Sequence, residues 1–448
     1  MPPSTPRTPQ QDRAAGHGPA RTGAALAVAL LLVGCGPAVT VAEGERRTPP
    51  DCSAPAITVD SPVVGAAMHP GPFFAAGTVA GDDRILRWTV EDADGRRVAR
   101  DEVFSGTDGQ AGTYTVPLDL AEGAYTLVLR PATGPGSSSD CPATARSSFT
   151  VVPESVGPTW LSGASGNAVA DGEFGPWRGT EVPIAGTWAD SNRGQRALWQ
   201  LQPDGQYGDW PGSLEIAIGA IDAGETWAAA AQGAYDDRWR RSLRDMARLW
   251  GDRPGRLYIR LAHEFNGDWY PWSVTGASRE DFVTAWRRFR LLQLEEFPGA
   301  ALVFAPNCET PGSNQLDWRE AFPGPEYVDV MSVSYFNGYP WIDTAEAFQD
   351  VAMRVDHMGA PRGIQRHLEF ARSIGLPFAV SEWNTDAAFG DSPGFMQQMD
   401  QFFRANAGAG PGQLLYEILF NVLREDNRFA LMPETRAPLG AEAYRRLW

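Results

Sequence analysis

Two segments of this chain end in a glutamate set beside aromatic residues. The first reads Leu257-Tyr258-Ile259-Arg260-Leu261-Ala262-His263-Glu264 and continues Phe265-Asn266-Gly267-Asp268-Trp269-Tyr270-Pro271-Trp272. The second reads Pro377-Phe378-Ala379-Val380-Ser381-Glu382-Trp383-Asn384. A carboxylate closing an apolar, β-prone run is costly to bury unless a partner or a wet cleft receives it. Two such carboxylates facing each other are what glycosidic bond cleavage needs. One protonates the leaving oxygen, and the other attacks or stabilises the oxocarbenium-like carbon; a separation of about 5–5.5 Å implies retention and about 6.5–9.5 Å inversion. Indole and phenol rings beside them suit a sugar, because a flat apolar ring covers the C–H face of a pyranose while its polar edge reaches a hydroxyl.

Side-chain alternation puts Arg260, Ala262 and Glu264 on one face of the first strand and Leu257, Ile259 and Leu261 on the other. The apolar set belongs against helices, the Arg260/Glu264 set toward a barrel axis. There Arg260 is a partner for Glu264, and a purely structural Arg–Glu pair is the alternative. In the second segment the same rule groups Phe378, Val380 and Glu382. His263-Glu264 invites a zinc reading, but the helical zinc motif needs a second His where this chain has Gly267, and no Cys or His cluster has ligand spacing. No metal and no cofactor are expected. Glu417, in Leu414-Leu415-Tyr416-Glu417-Ile418-Leu419-Phe420-Asn421, is a rival carboxylate that ranks below Glu382 because it falls mid-strand.

These carboxylates need a scaffold that brings distant strand ends together. From residue 157 onward, β-prone runs alternate with helical ones. The strands are 182–188, 214–218, 257–263, 301–305, 328–334, 378–381 and 414–421, and the helices 236–250, 279–296, 363–373 and 393–405. That alternation over residues 157–448 predicts one (β/α)8 barrel, whose active residues sit at the C-terminal ends of its strands. Glu264 and Glu382, with about three strands between them, then lie across the rim. A doubly wound sheet is the competing fold, but no glycine-rich phosphate loop follows an early strand. Residues 52–153 show only short strands and turns (Asp94-Gly95, Glu122-Gly123), as in a β-sandwich. Gly123-Ala124-Tyr125-Thr126-Leu127 resembles the tyrosine corner of immunoglobulin-like domains. A structural or spacer module is the expectation there, with carbohydrate binding through Trp88 as the alternative.

The segment Arg260 to Trp272 resembles the acid/base motif of glycoside hydrolase family 26, whose best-known members are β-mannanases, and Ser381-Glu382-Trp383 resembles that family's strand-seven nucleophile. The resemblance implies a clan A retaining enzyme with Glu264 as acid/base and Glu382 as nucleophile. It implies that His263 positions groups around the acid/base, that Trp269 lines the subsite of the attacked sugar, and that Tyr335 hydrogen-bonds the nucleophile. Asn307, at the end of strand five, is a site-lining polar group, and Arg260, Trp272 and Trp383 complete the substrate-binding set. The family pattern also implies an aromatic, often Trp, near the end of strand eight. This chain offers Tyr416 or Phe420 instead. β-1,4-Mannan is the first substrate expectation. Mixed-linkage β-glucan, β-1,3-xylan, an exopolysaccharide, a non-catalytic glycan-binding role and a sandwich-based surface interaction are the alternatives.

The formal charge of -17 argues against nucleic acid, whose phosphates need basic surfaces. A monomer is expected. At the N-terminus, Arg7, Arg13 and Arg21 precede an apolar run, 24–33, too short to span a membrane, in the order of a secretory signal. It closes on Leu32-Val33-Gly34-Cys35, which resembles a bacterial lipobox. The resemblance implies removal of residues 1–34, lipidation of Cys35, and an extracellular, membrane-anchored protein with residues 35–51 as tether. In an exported chain Cys52 and Cys141, near the two ends of the β-rich segment, are expected to pair, leaving Cys308 as a free buried thiol.

Overall fold

The chain is described by a computed structural model, which covers residues 57–80, 85–106, 112–132 and 144–448. Residues 1–51, where a signal and tether are expected, lie outside the described residues, as do Cys52 and Cys141. Among the described residues, seven strands precede residue 153: β1 (Ala67–Met68), β2 (Gly71–Thr78), β3 (Ile85–Asp92), β4 (Arg97–Phe104), β5 (Thr113–Leu120), β6 (Gly123–Pro131) and β7 (Ala145–Val151). A five-stranded sheet runs β1-β7-β6-β3-β4, and β2 pairs with β5 in a second. Inward-facing residues of both sheets, among them Phe73, Leu86, Tyr114, Leu127 and Phe149, form one core. Trp88 belongs to that core and is 8% exposed, so it offers no face to a sugar. Tyr125 Oη donates to the carbonyl of Ala121 at 2.9 Å, the bond that a tyrosine corner makes.

The remaining strands are β8 (Leu161–Ser165), β9 (Ile184–Ala189), β10 (Ser213–Ile218), β11 (Leu257–Leu261), β12 (Ala301–Phe304), β13 (Val330–Asn337), β14 (Phe378–Thr385) and β15 (Leu414–Leu419). They close into a parallel eight-stranded barrel in chain order. Ile184, Tyr258, Val303, Tyr416 and Ile418 help fill its axis. The helices Asp236–Trp250 and Arg279–Glu296 match the helical spacing of their sequences. β8 gives no sequence signal because Leu161-Ser162-Gly163-Ala164-Ser165 lacks the β-branched and aromatic residues that mark strands. Its small residues serve close packing: a Cβ on Gly163 would stand 2.3 Å from the carbonyl oxygen of Ile184.

The described residues make one compact unit. The helix Pro393–Asn406 joins the two layers of strands. Its Ala405 enters the core of the N-terminal sheets. Its Asp400 is buried between His69, 2.8 Å away, and Arg404, also 2.8 Å away. Gln401 Nε2 donates to the backbone carbonyl of His69 at 2.8 Å. Buried polar contacts of this kind are costly to break one at a time, since each leaves a desolvated group unpaired. The N-terminal sheets are thus held to the barrel wall at this helix.

Candidate active site

Arg260 projects into the barrel from β11, as alternation predicts, and is 1% exposed. It does not pair with Glu264. Its Nη2 donates to Glu382 Oε1 at 2.6 Å, and its Nε lies 3.1 Å from Glu215 Oε1 on β10. Arg260 therefore braces a carboxylate from below, and its burial behind that carboxylate removes it from the set of residues that touch substrate.

Strand β11 ends at Leu261, earlier than the sequence pattern implies. Glu264 reaches the barrel mouth through a turn in which Ala262 and Glu264 themselves adopt positive φ, 47° and 53°. Left-handed backbone at non-glycine residues costs about 1–2 kcal/mol each, and such strain is characteristic of functional sites. Two hydrogen bonds hold the turn: Ala262 N–H to the Ile218 carbonyl at 2.7 Å and Glu264 N–H to the Ala305 carbonyl at 2.8 Å. The side chain accepts from Asn307 Nδ2 at 2.8 Å on Oε1 and from Trp269 Nε1 at 3.1 Å on Oε2. Asn307 is fixed in turn by Asn266, whose Oδ1 accepts from the Asn307 N–H at 2.7 Å. Gly267 lets the Trp269 ring fold back toward Glu264, since a Cβ there would meet that ring at 2.4 Å. Trp269 is 49% exposed, an aromatic face open at the mouth.

Glu382 arrives by a different device. Strict alternation would send it outward with Phe378 and Val380, which pack in the helix-facing core. Strand β14 carries one extra residue against both neighbours: Val333 pairs with Val380 but Ser334 with Glu382, and the β15 ladder shows a matching slip. A bulge of this kind re-aims the residues that follow it. Ser381 and Glu382 both point inward as a result, Ser381 to Glu215 at 2.7 Å and Glu382 to Arg260. Trp188, at the end of β9, donates its indole N–H to Glu382 Oε1 at 3.0 Å. Two strands, β12 and β13, separate β11 from β14, one fewer than the spacing implied.

The same facing rule corrects two other expectations. Trp383 points outward from β14, is fully buried, and donates to Glu417 Oε2 at 2.5 Å. Tyr335 points outward from β13 and stacks on Phe395 of the Pro393–Asn406 helix, with ring centroids 6.3 Å apart. It does not bond Glu382, whose partners are Arg260 and Trp188. Trp272 is 3% exposed; it donates to the His263 carbonyl at 2.8 Å and stacks on Tyr270 with centroids 4.3 Å apart, so it backs the site without facing a ligand. His263 is 1% exposed, with Nδ1 3.6 Å from Asp190 Oδ1. Phe420, not Tyr416, occupies the end of the eighth strand, where it meets Trp188 edge-on at 5.4 Å. Tyr416 is buried on the axis and donates to Glu215 Oε2 at 2.5 Å.

The electrostatics separate the groups. Burial raises the Glu264 carboxyl above the ordinary glutamate range, and the Glu382 charge adds to this, against the opposing pull of Asn307 and Arg260. Asp190 is pushed up to about 7, first by burial, with Arg260 opposing and the Glu382 and Glu264 charges adding. Burial, with the nearby Arg260 charge, holds His263 well below its usual value, so its imidazole is neutral. Burial and Glu309 push the Cys308 thiol up to about 12, which leaves it unreactive as a nucleophile. Among the described residues, no group of three or more His, Cys, Asp or Glu is placed to hold a metal. Trp188, Asp190 and Glu215 carried no role in the sequence reading. For Trp188 a signal existed, an aromatic closing a predicted strand; the other two needed the barrel to close.

The model described as Glycosyl hydrolase family 26 matches residues 220–392. Endoglucanase H of Acetivibrio thermocellus is 33% identical over 132 residues, 28% of this chain and 14% of that protein. The mannan endo-1,4-beta-mannosidase of Bifidobacterium adolescentis is 24% identical over 230 residues, 46% of this chain and 22% of that protein. The chain thus spans less than a quarter of either relative's length. Among solved structures, the catalytic domain of a family 26 endo-beta-1,4-mannanase from Bacillus sp. JAMB-750 superposes with a TM-score of 0.46 at 13% identity, covering 64% of this chain and 86% of that one. Glu264 and Glu382 both fall within residues 220–392, so the carboxylate pair at the barrel mouth lies in the part of this chain that matches glycosyl hydrolase family 26.

Proposed function

We propose that this chain is a glycoside hydrolase that cleaves internal bonds of a β-linked polysaccharide with retention, and that β-1,4-mannan is its substrate. One observation carries the reading: two carboxylates share the barrel mouth, near enough that the charge of Glu382 adds to the rise of the Glu264 carboxyl. Glu264 is biased toward its acid form by burial and by the charge of Glu382. Glu382 is held as an acceptor by a buried guanidinium and an indole N–H. Such a pair divides acid from nucleophile. In the first step a Glu382 oxygen bonds the anomeric carbon as the bond to the leaving oxygen breaks, and Glu264 passes its proton to that oxygen. Glu382 then carries no charge, which lowers the proton affinity of Glu264. Glu264 next takes a proton from water as that water attacks the anomeric carbon, and Glu382 leaves as a carboxylate. Trp269, whose ring is open at the mouth, supplies aromatic surface beside Glu264.

The 33% identity to a protein named Endoglucanase H supports a second substrate reading, β-glucan, with the same chemistry. We read the N-terminal sheets as an immunoglobulin-like module that buttresses the barrel. We read the N-terminus as a lipoprotein signal that anchors a secreted monomer through Cys35 at the outer face of the membrane. The experiment is reducing-end release by the protein lacking residues 1–35, over galactomannan, glucomannan, mixed-linkage β-glucan and β-1,3-xylan, with Glu382→Ala in parallel. Release from mannans that vanishes in the mutant is expected. Release from β-glucan alone would replace the substrate and keep the chemistry, and binding without release would overturn the enzyme reading.

A further inference from the structure

Below the catalytic pair lies a third carboxylate that the chemistry above does not use. Glu215 is 1% exposed, and its neighbours converge on it from three other strands. Ser381 Oγ and Tyr416 Oη donate to its Oε2 at 2.7 and 2.5 Å, and Arg260 Nε stands 3.1 Å from its Oε1. Arg260 is thereby shared: one edge faces Glu215, and Nη2 donates to Glu382 Oε1 at 2.6 Å. Ser381 gives a second route, since it precedes Glu382 in the bulged strand. A buried ion of this kind persists only when it is paired, and removing one partner leaves the other uncompensated.

We propose that Glu215 is a positioning residue for the nucleophile, acting as the standing counter-ion of Arg260 while the charge of Glu382 comes and goes; this rests on the reading of Glu382 as nucleophile. When Glu382 becomes a glycosyl ester its negative charge is gone. Arg260 would then be a buried cation without a partner, were it not for Glu215. Without the Glu215 charge, Arg260 also spends its full field on the resting Glu382 carboxylate and stabilises the ground state. Both effects raise the barrier to the first step, and both favour departure of Glu382 in the second. Glu215 therefore sets the balance between the two half-reactions while touching neither sugar nor water.

The test uses Glu215→Gln, which keeps the shape and an acceptor oxygen, in the full-length protein. The probes are 2,4-dinitrophenyl β-mannobioside and the matching β-cellobioside. A good leaving group makes the first step fast, so the wild-type protein gives a burst of dinitrophenolate. In Glu215→Gln, kcat/KM, which reports that first step, falls about 100-fold and the burst disappears. A kcat/KM within about threefold of wild type with the burst intact would overturn the proposal. Should Glu215→Gln fail to fold, Tyr416→Phe keeps the carboxylate and removes one donor; a fall of about fivefold in kcat/KM is expected, and no fall overturns the idea. The premise is tested separately by Glu382→Ala with sodium azide. A glycosyl azide of inverted configuration upholds Glu382 as nucleophile whatever Glu215 does. Its absence, with Glu215→Gln still slow, would overturn the proposal through its premise.

Discussion

Glu382 and Glu417 stand on adjacent strands of one barrel, and they face opposite sides of its wall. Glu382 faces the mouth, 6% exposed, against a guanidinium and the indole of Trp188. Glu417 faces the helices, fully buried, and accepts from three indoles: Trp383 at 2.5 Å, Trp448 at 3.1 Å and Trp160 at 3.4 Å. Those three tryptophans come from β14, from the last residue of the chain and from the segment just before β8. The Glu417 carboxylate thus ties together the strands where the barrel closes. Residue type and strand position are nearly the same in the two cases. The side of the sheet decides the role, and a bulge at Ser381 decides the side.

The comparison breaks most sharply on turnover. Glu382→Ala should lower reducing-end release by about 10⁴-fold or more, whereas Glu417→Gln should leave kcat/KM within about threefold. Equal losses in both would erase the distinction. Next in size, Glu264→Ala should lose about 10²–10⁴-fold on polysaccharide yet keep most of its activity on aryl glycosides with good leaving groups, which need no proton. Its sign with pH follows from the raised carboxyl: the active acid form persists to higher pH than an ordinary glutamate, and rate falls as pH rises through that value. The alkaline limb of kcat/KM should therefore lie above the glutamate range and vanish in Glu264→Ala. A limb that persists would assign it to another group, with Asp190 the first to suspect.

The outer carboxylate should answer in stability. Glu417→Gln turns one oxygen into an amide N–H₂ that faces indole donors, and should cost about 1–3 kcal/mol of folding free energy, read as a lower Cm in urea. An unchanged midpoint would mean that the indoles find other acceptors. Trp188→Phe removes a donor to Glu382 and should cost about tenfold in kcat/KM with little change in melting temperature. The smallest effect belongs to Tyr335→Phe, within about twofold in kcat/KM, because its hydroxyl lies on the far side of β13 from Glu382. A larger loss would mean that Tyr335 turns inward when substrate binds.

How far the sequence reaches can be traced along β11 and β14. Around Arg260 strict alternation holds, and the axis-facing and helix-facing sets are as their residue types dictate. Alternation fails at Glu264, where left-handed turns replace the strand, and again at Glu382, where an inserted residue flips the phase. Both glutamates were nevertheless legible, because a carboxylate next to indoles at the end of an apolar run is itself a signal. Trp383, Tyr335 and Trp272 misled for the matching reason: aromatic residues near a site are as useful behind the strand as in front of it. Asn307 was legible from its place after a strand, although its bond to Glu264 was not.

The sequence by itself determined the alternation of strands and helices from β9 onward, the class of barrel they belong to, and the two carboxylates at its mouth, since these follow from local period and from the cost of burying charge. The tertiary structure decided which side chains meet. Arg260 bonds Glu382 and not Glu264, Glu215 stands beneath both, and Trp188 takes the place expected of Tyr335. Those pairings join residues up to 194 positions apart. They depend on how far each strand is slipped against its neighbours, and a slip of one residue, which leaves composition and spacing unchanged, sends a side chain to the opposite face of the sheet.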